Sequence, residues 1–127
     1  MKQIIYTPDA PAPVGPYSQA IVHQGTLYVS GQIAIEPASG ELMTRTIEEE
    51  THQVMKNLQA VLKAAGITFE EVIKCSVFVS DMNNYGRINA VYGEYFNEAT
   101  APARELVEVA NLPKFVNIEI SLIAAID

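Results

Sequence analysis

Ile47, Val54, Met55, Leu58, Val61, Leu62 and Ala65 fall on one face when the chain is wound at helical period. Thr46 and Glu49 have the spacing of a capping box, and Glu48 to Glu50 load the positive end of the helix dipole. Gly66 supplies a left-handed C-terminal cap. The pattern predicts an amphipathic helix beginning at Thr46 and ending before Gly66. Such a helix has to lay its apolar stripe on something of similar length. The flanking segments are strands. Ala20 to His23 and Thr26 to Ser30 form a hairpin through Gln24-Gly25, Val72 to Val79 is a β-branched run, Leu106 to Val109 is short, and Asn117 to Ala125 is strongly apolar. Asp81 to Asn84 offer caps for a second helix whose face is Tyr85, Ile88, Tyr92, Tyr95 and Phe96. The order hairpin, helix, strand, helix, strand, strand implies an α+β layer pair, with the helices on one face of a single sheet. At 127 residues, 1–127 is expected to be one domain.

The N-terminal segment is of another kind. Ile4 to Tyr6 suit a short edge strand. Pro8, Pro11, Pro13 and Pro16, with Gly15, then forbid helix and central strand, so an extended surface loop follows. It ends in Gly15-Pro16-Tyr17-Ser18-Gln19, where a fixed turn aims Tyr17. After the hairpin, Gly31 allows backbone or ligand to approach closely, and Pro37 to Gly40 make a further turn.

Charge removes several functions. The net charge is -7, and eight Lys and Arg are scattered from Lys2 to Lys114 without a cluster. A nucleic-acid binder needs a basic stripe to replace phosphate counterions, so neither nucleic acid nor an anionic membrane surface is an expected partner. One cysteine, Cys75, cannot form an internal disulfide and suits a buried strand position. The N-terminus is short and polar for a signal peptide, and no apolar run spans a membrane, so a cytoplasmic setting is expected. His23 and His52 have no ligand spacing to each other or to Cys75, no glycine loop for phosphate occurs, and no metal or cofactor is expected. Glu48-Glu49-Glu50 reads as a solvated helix start.

Two charges look misplaced. Arg104 opens a strand, and Glu119 sits within the apolar run Asn117 to Leu122. Alternation puts Glu119 on a face with Asn117, Ser121 and Ile123, and Ile118, Ile120 and Leu122 beneath the helices. A carboxylate in a central strand is costly unless paired, and an arginine is the obvious partner. From spacing alone the two are either a structural ion pair at a subunit seam or a catalytic pair.

Gly15-Pro16-Tyr17-Ser18-Gln19, Ser30-Gly31-Gln32, Pro102-Ala103-Arg104, Val107-Glu108-Val109-Ala110-Asn111-Leu112-Pro113 and Ile118-Glu119-Ile120 resemble, in order and spacing, the signature of the reactive intermediate deaminase (Rid, or YjgF) family. The resemblance spans essentially the whole chain. It implies a bacillus-type chorismate-mutase-like fold and a homotrimer with active sites in the inter-subunit clefts. It also implies cofactor-free hydrolysis of small 2-imino acids, such as 2-iminobutanoate and 2-iminopropanoate, to 2-keto acids and ammonia. Carried onto this sequence, Arg104 and Glu119 are the catalytic pair: Arg104 clamps the substrate carboxylate, and Glu119 positions water and moves protons. Tyr17, Ser30, Gly31, Asn89 and Leu106 are the expected substrate-binding residues. Structural alternatives are loop packing for Tyr17, strand termination for Ser30, and capping or solvent contact for Asn89. The chain departs from many relatives in having Glu105 and Leu106 after the arginine, and Ser121 in place of a second glutamate. Those departures keep a second reading open, a non-catalytic trimer that binds small carboxylates. A chorismate-mutase-like isomerase would need more cations than Arg104 with Lys74 or Arg87, and the acidic balance opposes an RNA-directed activity.

Overall fold

The computed structural model describes all 127 residues. The strands are β1 (Gln3–Ile5), β2 (Ala20–His23), β3 (Thr26–Gln32), β4 (Val72–Val79), β5 (Ala103–Glu108) and β6 (Ile118–Ala125), and the helices are α1 (Ile47–Ala64) and α2 (Tyr85–Tyr92). They form one sheet in the order β1-β2-β3-β6-β4-β5. Only β4 and β5 run parallel, because α2 carries the chain back between them. The sheet is therefore mixed, with β6 paired to β3 on one side and β4 on the other.

Local signals set these elements. Gln24 and Gly25 both take positive φ, 49° and 77°, the pair that a two-residue hairpin turn requires. Thr46 Oγ1 accepts from the Glu49 amide at 3.0 Å, and Gly66 ends α1 at φ 80°. The expected stripe of α1 lies on the sheet, with Val54, Met55, Leu58, Val61 and Leu62 fully buried. Beneath it are Ile118, Ile120 and Leu122 of β6, Cys75, Val77 and Val79 of β4, and Leu27 and Val29 of β3. Both helices cover this one face. On the other face Tyr28, Phe78, Glu119, Ser121 and Ile123 keep partial or full exposure. No helix is long and apolar enough to cross a membrane.

The structure differs from expectation at three places. The second helix stops at Tyr92, and Tyr95 and Phe96 pack from the following turn, each edge-on to Phe69 at 5.6 and 5.1 Å between centroids. Strand β5 starts at Ala103, earlier than Leu106, because parallel pairing with β4 already begins there. The acidic run at the start of α1 is not uniformly solvated. Successive residues turn by about 100° on a helix, so Glu48 reaches Arg87 and Glu49 reaches Arg45, each at 2.7 Å, while Glu50 points inward and is 0% exposed. Its carboxylate accepts from the amides of Asn117 (2.7 Å) and Ile118 (3.2 Å) and from Asn117 Nδ2 (2.8 Å), holding α1 to the start of β6. Glu50→Ala leaves those donors buried and unpaired. It is expected to cost about 3 kcal/mol, measured as a lower urea midpoint at unchanged m-value.

Candidate active site

Arg104 lies on the edge strand β5, in register with Cys75 of β4. Its side chain therefore rises on the helix side of the sheet, where α2 receives it. Nη1 donates to Asn89 Oδ1 at 2.9 Å and Nη2 to the Tyr85 hydroxyl at 3.0 Å. The guanidinium also lies 4.9 Å from the Tyr92 ring centroid and 5.8 Å from that of Tyr85. Cation–π contact with two hydrogen bonds fixes the fork and leaves its remaining N–H donors free. No carboxylate in the chain pairs with it. Asn89, Tyr92, Glu98 and Pro102 line the open cleft around it. Leu106, two residues along β5, shares this face and packs half-buried against the core. Cys75 beneath Arg104 is fully buried, and burial pushes its thiol up, so it stays neutral.

Tyr85 is a site contact that the sequence did not indicate. It belongs to the α2 stripe but is 42% exposed, and it stands one helical turn from Asn89 on the Arg104 side. In the chain Asn89 orients the arginine.

Glu119 occupies the other face. It is in register with Phe78, and burial alone pushes its carboxyl above the ordinary range. The room for it comes from Gly31. A Cβ at that position would sit 2.5 Å from Glu119 Oε2, where β3 shifts register between Val29 and Gln32. Tyr17 and Lys114 are among the residues that, with these two, line a cavity of about 110 Å3. The turn that aims Tyr17 is held by the buried amide of Gln19, the last residue of the Gly15-Pro16-Tyr17-Ser18-Gln19 motif. Its Oε1 accepts from the Thr7 amide at 2.7 Å, and its Nε2 donates to the carbonyls of Thr7 and Pro11, both at 3.0 Å. The Tyr17 hydroxyl accepts from the Val14 amide at 3.4 Å. Ser30 Oγ donates to the Ser18 carbonyl at 2.6 Å and anchors the same loop to β3.

Arg104 and Glu119 thus do not pair within one chain. Arg104 is in phase with Cys75, whose β6 partner is Leu122, a helix-side residue. Glu119 is an odd number of positions from Leu122 and points the other way. Each chain presents a held cation at one edge of the sheet and a half-buried carboxyl on the uncovered face. Glu105, beside Arg104, also points away from it, to Lys74 at 3.0 Å and to the Ser76 hydroxyl.

A carboxyl whose pKa is raised on folding lowers stability in its ionised form. The native state is favoured while the group is protonated, and that contribution is lost as pH rises through the folded pKa. Glu119→Gln is therefore expected to raise the melting temperature at neutral pH. The gain should vanish below the ordinary carboxylate range, where both states bind the proton.

The family profile described as endoribonuclease L-PSP matches residues 7–126. A RutC family protein of Synechocystis is 51% identical over 125 residues, covering 98% of this chain and 96% of the relative. The 2-iminobutanoate/2-iminopropanoate deaminase of Mus musculus is 44% identical over 124 residues, covering 98% of this chain and 91% of its own length. Among solved structures, E. coli TdcF with bound serine superposes with a TM-score of 0.92 at 37% identity, covering 98% of this chain and 99% of that one.

Proposed function

The chain belongs to the endoribonuclease L-PSP family, the Rid or YjgF proteins, and from that premise we propose that it is a cofactor-free hydrolase of 2-imino acids, working at sites shared between neighbouring copies of a homotrimer. The observation that carries this reading is Arg104. Its guanidinium is oriented by Asn89, Tyr85 and Tyr92 and yet has no anion in its own chain. A carboxylate ligand supplies that anion, and the neighbouring chain's Glu119 supplies the proton-transfer group.

The substrate α-carboxylate binds the free edge of the Arg104 fork through paired hydrogen bonds. Its C=N carbon then stands against Glu119, Tyr17 and the Gly31 backbone. The ionised Glu119 takes a proton from a water molecule as its oxygen attacks that carbon, and the imine π-electrons move to nitrogen. Glu119 delivers that proton to the nitrogen, giving a carbinolamine; the hydroxyl proton then passes through the same carboxylate to the amino group as the C–N bond breaks, so that ammonia leaves and the hydroxyl oxygen becomes the keto group. Imine and water are thus converted to 2-keto acid and ammonia without change of oxidation state. A half-buried carboxyl of raised pKa suits this task, since it is a stronger base than a solvated one. Activity should fall with decreasing pH through a value above the ordinary carboxylate range.

The second reading, a carboxylate-binding trimer without turnover, draws on the serine held by TdcF and on the apolar wall at Leu106. Glu105 does not support it, because its carboxylate is turned away from Arg104. An RNA-directed role finds no basic patch, and the net charge is -7. The test generates 2-iminobutanoate and 2-iminopropanoate in situ with an amino-acid oxidase and traps surviving imine with semicarbazide. Accelerated loss of imine is the expected result. Binding of 2-oxobutanoate with no acceleration moves the binding module to first place.

A further inference from the structure

We propose that Lys114 gives the site a preference for acidic 2-imino acids, those derived from aspartate or glutamate, by holding the side-chain carboxylate. The inference rests on the hydrolase reading and names its substrate class. Lys114 lines the same cavity as Glu119, Tyr17 and Gly31. Of the other cations, Arg45, Lys74 and Arg87 are paired with Glu49, Glu105 and Glu48, while Lys2, Lys56 and Lys63 are unpaired but lie outside this cavity. Lys114 has no carboxylate partner, and it stands more than 4.0 Å from that of Glu119. Lys114 and Glu119 are the two charged residues among those lining the cavity, and they are not paired with each other.

The backbone shows that a side chain is kept there at a conformational cost. Lys114 has φ 55° and ψ 19°, and Phe115 follows at φ 55°. Glycine adopts this region freely, whereas residues with a Cβ do so only when the surroundings impose it. Here the surroundings are the buried Leu112 and Val116 at either end of the turn, with the Phe115 amide donating to the Leu112 carbonyl at 2.9 Å. Strain of this kind concentrates at ligand clamps. Lys114 is the one basic residue among those lining the cavity of about 110 Å3. At a net charge of -7 the protein repels a dianion at long range, so a preference for one needs a local cation. With the α-carboxylate on the neighbour's Arg104 and the reacting carbon at Glu119, the far end of an acidic side chain falls to Lys114.

The test uses the assembled protein, as wild type, Lys114→Gln and Lys114→Arg. Calorimetric titration compares 2-oxoglutarate with 2-oxobutanoate, and steady-state deamination compares the imines of glutamate and 2-aminobutanoate. Wild type is expected to prefer the acidic ligand by about five- to tenfold in affinity, with the same bias in 1/KM. Lys114→Gln should bring the ratio close to one, and Lys114→Arg should retain it. Equal affinities in wild type, no binding of 2-oxoglutarate, or a preference that survives Lys114→Gln overturns the inference. Hydrolysis of 2-iminobutanoate without a Lys114-dependent preference removes this inference alone. A Lys114-dependent preference in binding with no hydrolysis of either imine removes the hydrolase reading and leaves the ligand class standing.

Discussion

Arg104→Ala is expected to lower kcat/KM for 2-iminobutanoate by roughly 30- to 5,000-fold, the equivalent of ~2–5 kcal/mol. The size follows from what the guanidinium does. It is anchored on α2 at two N–H groups and lies over the Tyr92 ring, so its free edge is already in place when substrate arrives. Alanine removes both the charge and the alignment of the reacting carbon with the neighbouring carboxyl, so kcat should fall as well as KM rise. Arg104→Lys should recover little. One ammonium cannot bond Asn89, Tyr85 and two carboxylate oxygens in a single plane. The fold should survive either change, because Arg104 is on an edge strand and is only partly buried. The check is steady-state kinetics beside a melting curve. Activity within about threefold of wild type in a folded Arg104→Ala protein would remove the clamp from the mechanism.

Much of this architecture is legible in the residue order because it rests on local rules. The α1 stripe, its threonine cap, its glycine stop, the Gln24-Gly25 turn and the alternation along β6 all act within a few residues of themselves. The polar core is different in kind. Glu50 belongs to an acidic run whose members look alike in sequence, and only the approach of β6 gives one of them buried amides to accept from. Gln19 and Asn57 are single amides with no periodic signal, yet each bonds backbone groups of distant segments, Asn57 reaching the carbonyls of Ile33 and Ile35 at 3.0 and 2.9 Å. The site is affected most. Arg104 and Glu119 stand out in the sequence as a pair, but their relative facing depends on the registers of β5 with β4 and of β4 with β6. A shift of one residue in either pairing would have turned them to the same side. Strand alternation places each residue on a face of its own strand and is silent on which faces coincide.

That opposite facing leads to the second large effect. Arg104→Ala and Glu119→Gln chains, each nearly inactive alone, are expected to recover about a quarter of wild-type activity when unfolded together in equal amounts and reassembled. In the proposed trimer an intact site takes Arg104 from one chain and Glu119 from the next. With random placement about half of the positions carry each functional residue, and about a quarter of the clefts receive both. If the two residues acted within one chain, every cleft would lack one of them and mixing would restore nothing. The converse mixture constrains the same geometry from the other side. Wild type diluted equally with the doubly substituted chain keeps about half of full activity if sites are intramolecular, and about a quarter if each wild-type chain loses a functional neighbour half of the time. The two mixtures contain different chains but the same expected fraction of complete clefts. Convergence on a common activity would therefore mean that the carboxylate clamp and the proton-transfer group meet only across a subunit boundary, a result that their positions on opposite faces of one sheet would explain.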